Sequence, residues 1–129
     1  MQIQLLNTMV DKFEFSRAQV EDEDFQLEFA PAFNEEEVDS FIVRFKVEFK
    51  STQNYQFVLN YVAEFKTNEI VKDEFKKSQF PAVNAPAIAF PFLRSFISMF
   101  TLNAGFDAVI LPSINFQAAY DKQKRVTQE

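Results

Sequence analysis

Apolar and polar residues alternate with period two through the first half of the chain. Met9, Phe13 and Phe15 share a parity around Asp11, Lys12 and Glu14, and Phe25, Leu27 and Phe29 repeat the pattern around Gln26 and Glu28. The longest runs are Phe41, Val43, Phe45, Val47 and Phe49, then Tyr55, Phe57, Leu59, Tyr61, Ala63 and Phe65. Successive side chains of a strand point to opposite faces, so each run predicts a strand with one apolar face. The polar link 51–54 is short enough for a hairpin, whereas parallel neighbours would need a crossover of about a dozen residues. The prediction is a four-stranded antiparallel sheet, with the acidic links 21–24 and 35–39 in solvent.

The period changes after Phe80. Residues 66–78 are polar and read as a loop with one helical turn. Asn84 is a candidate N-cap, and Pro86 is tolerated in a first helical turn. Pro91 lacks a backbone donor, so the expectation is a turn over 85–89 and a main helix over 91–103. Gly105 suits a left-handed helix end. In that helix Phe92, Phe96, Met99 and Phe100 form one stripe, and Leu93, Ile97 and Leu102 spread round the rest. A helix apolar nearly all round needs cover on two sides, which one small sheet does not provide; a second copy of the chain would, and the alternative is internal cover by the final helix. A last helix is expected from Asn115 as N-cap, carrying Phe116, Ala119 and Tyr120 on one side. Lys122, Lys124 and Arg125 complement its C-terminal dipole.

Composition narrows the function classes. The chain has 129 residues, an expected single domain over 1–129 that can enclose a core without staples. With no Cys and no His, disulfides, thiolate or imidazole catalysis and zinc fingers are excluded. A single Gly cannot build a phosphate-cradling loop. The net charge of −6 opposes a general nucleic-acid binder. The acidic links lack the spaced ligands and turn glycine of a calcium loop. No catalytic acid–base pair can be assembled, so no enzyme, no metal and no cofactor is expected. The opening residues carry no signal-peptide pattern, and no run of about 18 apolar residues suggests a span; a cytoplasmic location without membrane insertion is the expectation. The 18 Phe are far above ordinary usage and suit an aromatic core, with any remainder left for an interface or ligand.

The C-terminal third, NAPAIAFPFLRSFISMFTLNAGFDAVILPSINF, resembles the SecB family of protein-export chaperones. The family pattern is matched by Pro86, Phe90, Pro91, Arg94, Ile97 and Ser98, then by Phe106, Leu111, Pro112, Asn115 and Phe116. The resemblance implies an α+β protomer, a four-stranded antiparallel sheet followed by two helices, assembling as a dimer of dimers through the first long helix. Ser95, Phe96, Ser98, Met99 and Leu102 are the expected oligomer-interface residues. It further implies an ATP-independent holdase for unfolded or precursor polypeptides, with the SecA motor as a partner in export. The client would lie in a groove between the 106–116 region, the last helix and the 21–25 link. Phe25, Phe106, Ile110, Ile114, Phe116 and Tyr120 are its candidate contacts. Three features differ from the family pattern: the first link is short and acidic, the tail after the last helix is short, and Asn60 falls near an outer-sheet position that is acidic in relatives. Some SecB-like chaperones guard an antitoxin in a toxin–antitoxin system, and a dedicated role of that kind is the alternative.

Overall fold

The computed structural model describes the backbone of residues 1–128 and the side chains of residues 1–122. Four strands, β1 (Ile3–Arg17), β2 (Asp24–Ala32), β3 (Ser40–Ser51) and β4 (Tyr55–Thr67), form an antiparallel sheet in the order β1-β4-β3-β2. The helices α1 (Asp73–Lys76), α2 (Ala85–Asn103) and α3 (Phe116–Gln128) follow, with a π-helical turn, Phe80–Asn84, leading into α2.

The two central strands behave as their alternation predicts. Every odd residue from Phe41 to Phe49 and from Tyr55 to Phe65 is buried, and the even positions face out. Burying each large apolar side chain contributes roughly 1.5–3 kcal/mol. Five of the 18 Phe lie in this layer, where Phe41 stacks on Phe65 at 5.3 Å and Phe49 on Phe57 at 5.5 Å. At the hairpin, Asn54 adopts φ 68°, and its amide bonds to the Ser51 carbonyl at 3.0 Å. A left-handed turn residue is commonly Asn or Gly.

β1 departs from its predicted parity. Register shifts fall between Leu5 and Asn7 and between Val10 and Lys12, so Leu6 and Asp11 are extra residues in the ladder. Each β-bulge moves the following residues to the opposite face. Met9 therefore pairs with Val62 on the outer face and is 55% exposed, while Phe13 pairs with Leu59 on the inner face. The residues Met9, Phe13 and Phe15 do not share a face, although their numbering suggests it.

β1 and β2 are consecutive in sequence but lie at opposite edges, so the link 18–23 crosses the end of the sheet. Asn54 supports it: its carbonyl accepts from the Ala18 amide at 3.2 Å and its Oδ1 from the Val20 amide at 3.2 Å. Pro31 falls in β2, an edge strand where its missing donor is tolerated.

The helix boundaries correct the expectation at two points. Asn84 makes no side-chain cap, because the chain is already helical through the π turn. Pro91 lies inside α2 and does not break it. Pro91 and Ala87, whose carbonyl loses its intrahelical donor, are both exposed, so water can serve that carbonyl. Phe80–Asn103 is consequently one 24-residue segment whose most apolar 18-residue window has mean hydropathy 1.4, long and apolar enough to span a membrane on length and composition alone. In this fold its inner side packs on the sheet: Phe96 and Phe100 lie 5.8 and 4.6 Å from Phe13 of β1. Leu93, Ile97 and Thr101 are fully buried beside them.

α2 ends as its sequence dictates. Gly105 has φ 100°, the Phe106 amide bonds to the Thr101 carbonyl at 3.0 Å and the Gly105 amide to the Leu102 carbonyl at 3.2 Å. These two bonds form a Schellman motif. Asn115 caps α3, its Oδ1 accepting from the Ala118 amide at 2.9 Å. The side chains of Lys124 and Arg125 lie outside the described residues.

Candidate functional site

The segment after Gly105 carries no regular structure until α3, yet it is held at alternate positions. The Phe106 ring lies 4.3 Å from Tyr55, and the Arg17 guanidinium lies over it, 5.9 Å from the ring centroid. Gln53 of the β3–β4 turn donates to the Asp107 carboxylate at 3.2 Å and accepts from the Asp107 amide at 3.0 Å. The Val109 amide donates to Thr101 Oγ1 at 2.9 Å, and that hydroxyl donates to the Ile97 carbonyl at 2.8 Å. Leu111 is buried in the core. Pinning 106, 107, 109 and 111 turns Ile110 outward, where it is 69% exposed.

Between this segment, the start of β2 and the β3–β4 turn is a hollow of about 590 Å³. Phe25, Phe49, Val109, Ile110, Leu111 and Pro112 supply its apolar lining; Glu23, Gln53 and Asp107 are among its polar residues. A smaller hollow of about 230 Å³ lies on the other side of the segment, against Pro91, Arg94, Ser95 and Ser98 of α2. Ile110 and Leu111 line both.

Of the six candidate contacts, Phe25 and Ile110 meet at the larger hollow. Phe106 is half-buried behind it, committed to Tyr55 and Phe15. Ile114 is half-buried against the core. Phe116 is only 5% exposed; its ring packs 4.9 Å from Phe29 and 5.5 Å from Phe90, closing the β2–β3 half of the core. Tyr120 is half-buried on α3, its hydroxyl donating to the Lys77 carbonyl at 3.5 Å. These four therefore do not join Phe25 and Ile110 round the hollow. Phe49 and Leu111, which do, look like ordinary core positions in the sequence. Nothing in the alternation shows that the end of β3 borders a cavity.

The helix stripe also divides. Phe96 and Phe100 turn to the sheet, whereas Ile88, Phe92, Met99 and Leu102 are exposed, with Ser95 exposed among them. Their spacing of four, three, four and three residues is that of a coiled-coil seam. Ser95, Met99 and Leu102 of the expected interface lie on this seam. Phe96 does not, and Ser98 lies in the smaller hollow.

Among the described residues no group of three or more carboxylate, imidazole or thiol side chains is placed to hold a metal ion. Tyr55 is the titratable group with a resolved perturbation among them: burial pushes its phenol above 10.0, and Ser51 opposes the rise. This is an α+β protein whose accessible features are an apolar hollow and an apolar helix face. The chain belongs to the SecB family: the family model described as preprotein translocase subunit SecB matches residues 11–127.

The protein-export protein SecB of Anaplasma phagocytophilum is 40% identical over 55 residues, 43% of this chain and 34% of that protein. An uncharacterised protein of Methanocaldococcus jannaschii is 37% identical over 62 residues, 47% of this chain and 40% of its own length. The chain thus matches well under half the length of these curated relatives. A Mycobacterium tuberculosis SecB-like chaperone, solved in complex with a ChAD peptide from the HigA1 antitoxin, superposes with TM-score 0.68 at 15% identity over 87% of this chain and 90% of that one. A Streptococcus agalactiae protein of unknown function superposes with TM-score 0.51 at 11% identity, over 88% of this chain and 98% of that one. These likenesses extend the shared fold across most of the chain.

Proposed function

We propose that this chain is a single-domain, ATP-independent holdase that binds unfolded polypeptide in the hollow bordered by Phe25 and Ile110. The observation that carries this is the outward Ile110 beside an apolar cavity of about 590 Å³. Apolar burial is non-directional, so such a surface accepts many sequences. A folded protein escapes because its apolar side chains are already internal. The exposed seam of α2 supports a second part of the reading, that protomers associate through this helix, as dimers of dimers, and that several hollows then grip one chain by avidity. The test is suppression of aggregation of a chemically unfolded protein. Stoichiometric assembly should slow it strongly, and no effect at that ratio overturns the proposal.

A second reading is a dedicated antitoxin-type client, favoured by the fold shared with a chaperone solved on an antitoxin peptide. It predicts one tight client and indifference to generic unfolded chains, which pull-down with mass spectrometry separates. Delivery to SecA is a distinct property. Asn60 lies on the outer sheet face between Lys12 and Lys46, each paired with its own glutamate at 3.1 and 3.4 Å, so this patch carries balanced charge. Client holding without SecA binding is the expectation, checked by co-sedimentation of purified proteins in a cytoplasmic buffer.

A further inference from the structure

Tyr55, at the start of β4, has no accessible surface, and its ring packs 4.3 Å from Phe106 and 5.5 Å from Phe15. Its hydroxyl is the buried side-chain polar atom without a hydrogen bond among the described residues. The polar groups near it come from three elements: Ser51 of β3, Glu23 of the link and Asp107 of the segment after α2. All three line the larger hollow. None takes its proton in a well-formed bond. Ser51 Oγ accepts the Gln53 amide at 3.0 Å and the Asp107 carboxylate accepts the Gln53 side chain at 3.2 Å; Ser51 lies close enough to oppose the rise of the phenol without forming a bond of good geometry to it. Burial, reinforced by the two carboxylates, keeps the phenol protonated.

A buried donor without an acceptor is unfavourable, and native structures seldom keep one. An unfolded polypeptide brings a carbonyl at every residue, whatever its sequence. Glu23 and Asp107 disfavour a carboxylate as the incoming acceptor and leave a neutral carbonyl as the compatible one. The hydroxyl is covered, but the Gln53–Asp107 pair beside it is exposed, and hydrogen bonds of that kind exchange with water at little cost.

We propose that the Tyr55 hydroxyl is a sequence-independent polar contact of the hollow, donating to a client main-chain carbonyl when the Gln53–Asp107 pair parts. This rests on the polypeptide-holding reading and adds a main-chain contact to a surface otherwise read as apolar.

The probe is an extended Leu/Phe/Ala peptide with lysine ends and no Tyr or Trp. Because the protein has three Tyr and no Trp, near-ultraviolet difference absorbance at wavelengths beyond phenylalanine absorption reports its tyrosines alone. Peptide binding to the wild type should produce a tyrosine red-shift. In Tyr55→Phe the shift disappears and the affinity falls about fivefold, within the range of one net hydrogen bond, with the melting temperature unchanged or raised. Equal affinity, or a persistent shift, in a folded Tyr55→Phe overturns the proposal. Should that variant not fold, wild-type protein labelled with ¹³C at tyrosine Cζ decides. The Tyr55 resonance, assigned with Tyr61→Phe and Tyr120→Phe, must move on peptide binding, and a stationary one overturns the proposal. A wild type that binds no peptide removes the holdase reading itself.

Discussion

The outer seam of α2 and the hollow under Ile110 both leave apolar surface in water, but they are built differently. The seam is convex and regular, with Ile88, Phe92, Ser95, Met99 and Leu102 recurring at coiled-coil spacing. The hollow is concave and irregular, walled by a segment without secondary structure and rimmed by Glu23 and Asp107. A regular ridge fits a partner of the same regularity, such as a second copy of itself. A mixed hollow, whose polar contacts can be exchanged for water, suits partners that differ in sequence. On the proposed reading, one surface sets assembly and the other sets client binding.

Four changes would break or sharpen that contrast. Met99→Asp puts a charge into the seam and should cost on the order of 3 kcal/mol per helix–helix interface, shifting the assembly to smaller species by light scattering while peptide affinity per protomer stays unchanged. Leu111→Ala removes a buried anchor of the wall and should lower stability by about 3 kcal/mol in urea unfolding, weakening peptide binding with it. Ile110→Ser alters an exposed side chain, so stability should stay within about 0.5 kcal/mol; peptide affinity should fall roughly tenfold, the loss expected for one large apolar contact. If Ile110→Ser changes the assembly and not the binding, the division of labour is wrong.

The smallest effect concerns alkaline stability. The Tyr55 phenol is raised in the folded chain, so as pH rises past 10.0 the unfolded chain loses this proton first. Stability is therefore fully present below that pH and declines above it, up to the folded value. Urea unfolding across this range should show a shallower decline for Tyr55→Phe.

Much of the frame was legible because its causes are local. Alternation placed β3 and β4 and their buried parity. Gly105 set the end of α2 through the one conformation that glycine takes freely, and Asn115 capped α3 with its own side chain. The candidate site was legible only at Phe25 and Ile110. The remaining lining is formed by residues such as Phe49 and Leu111, distant in sequence and apolar like any core position.

What the sequence by itself determined, then, is which residues are apolar and at what local period: enough for four strands, a long apolar helix and its stop. Tertiary structure decided the rest. The bulge at Leu6 reversed the parity of β1 and the one at Asp11 restored it, so Met9 faces out while Phe13 and Phe15 lie against Phe100. Solvent exposure of Pro91 and Ala87 let α2 run on where the missing donor predicted a break. The division of the helix into a sheet face and a free seam, and the pinning that turns Ile110 outward, follow from which neighbours pack nearby. Period-based patterns specify a face relative to its own element; only packing assigns that face to core, partner or client.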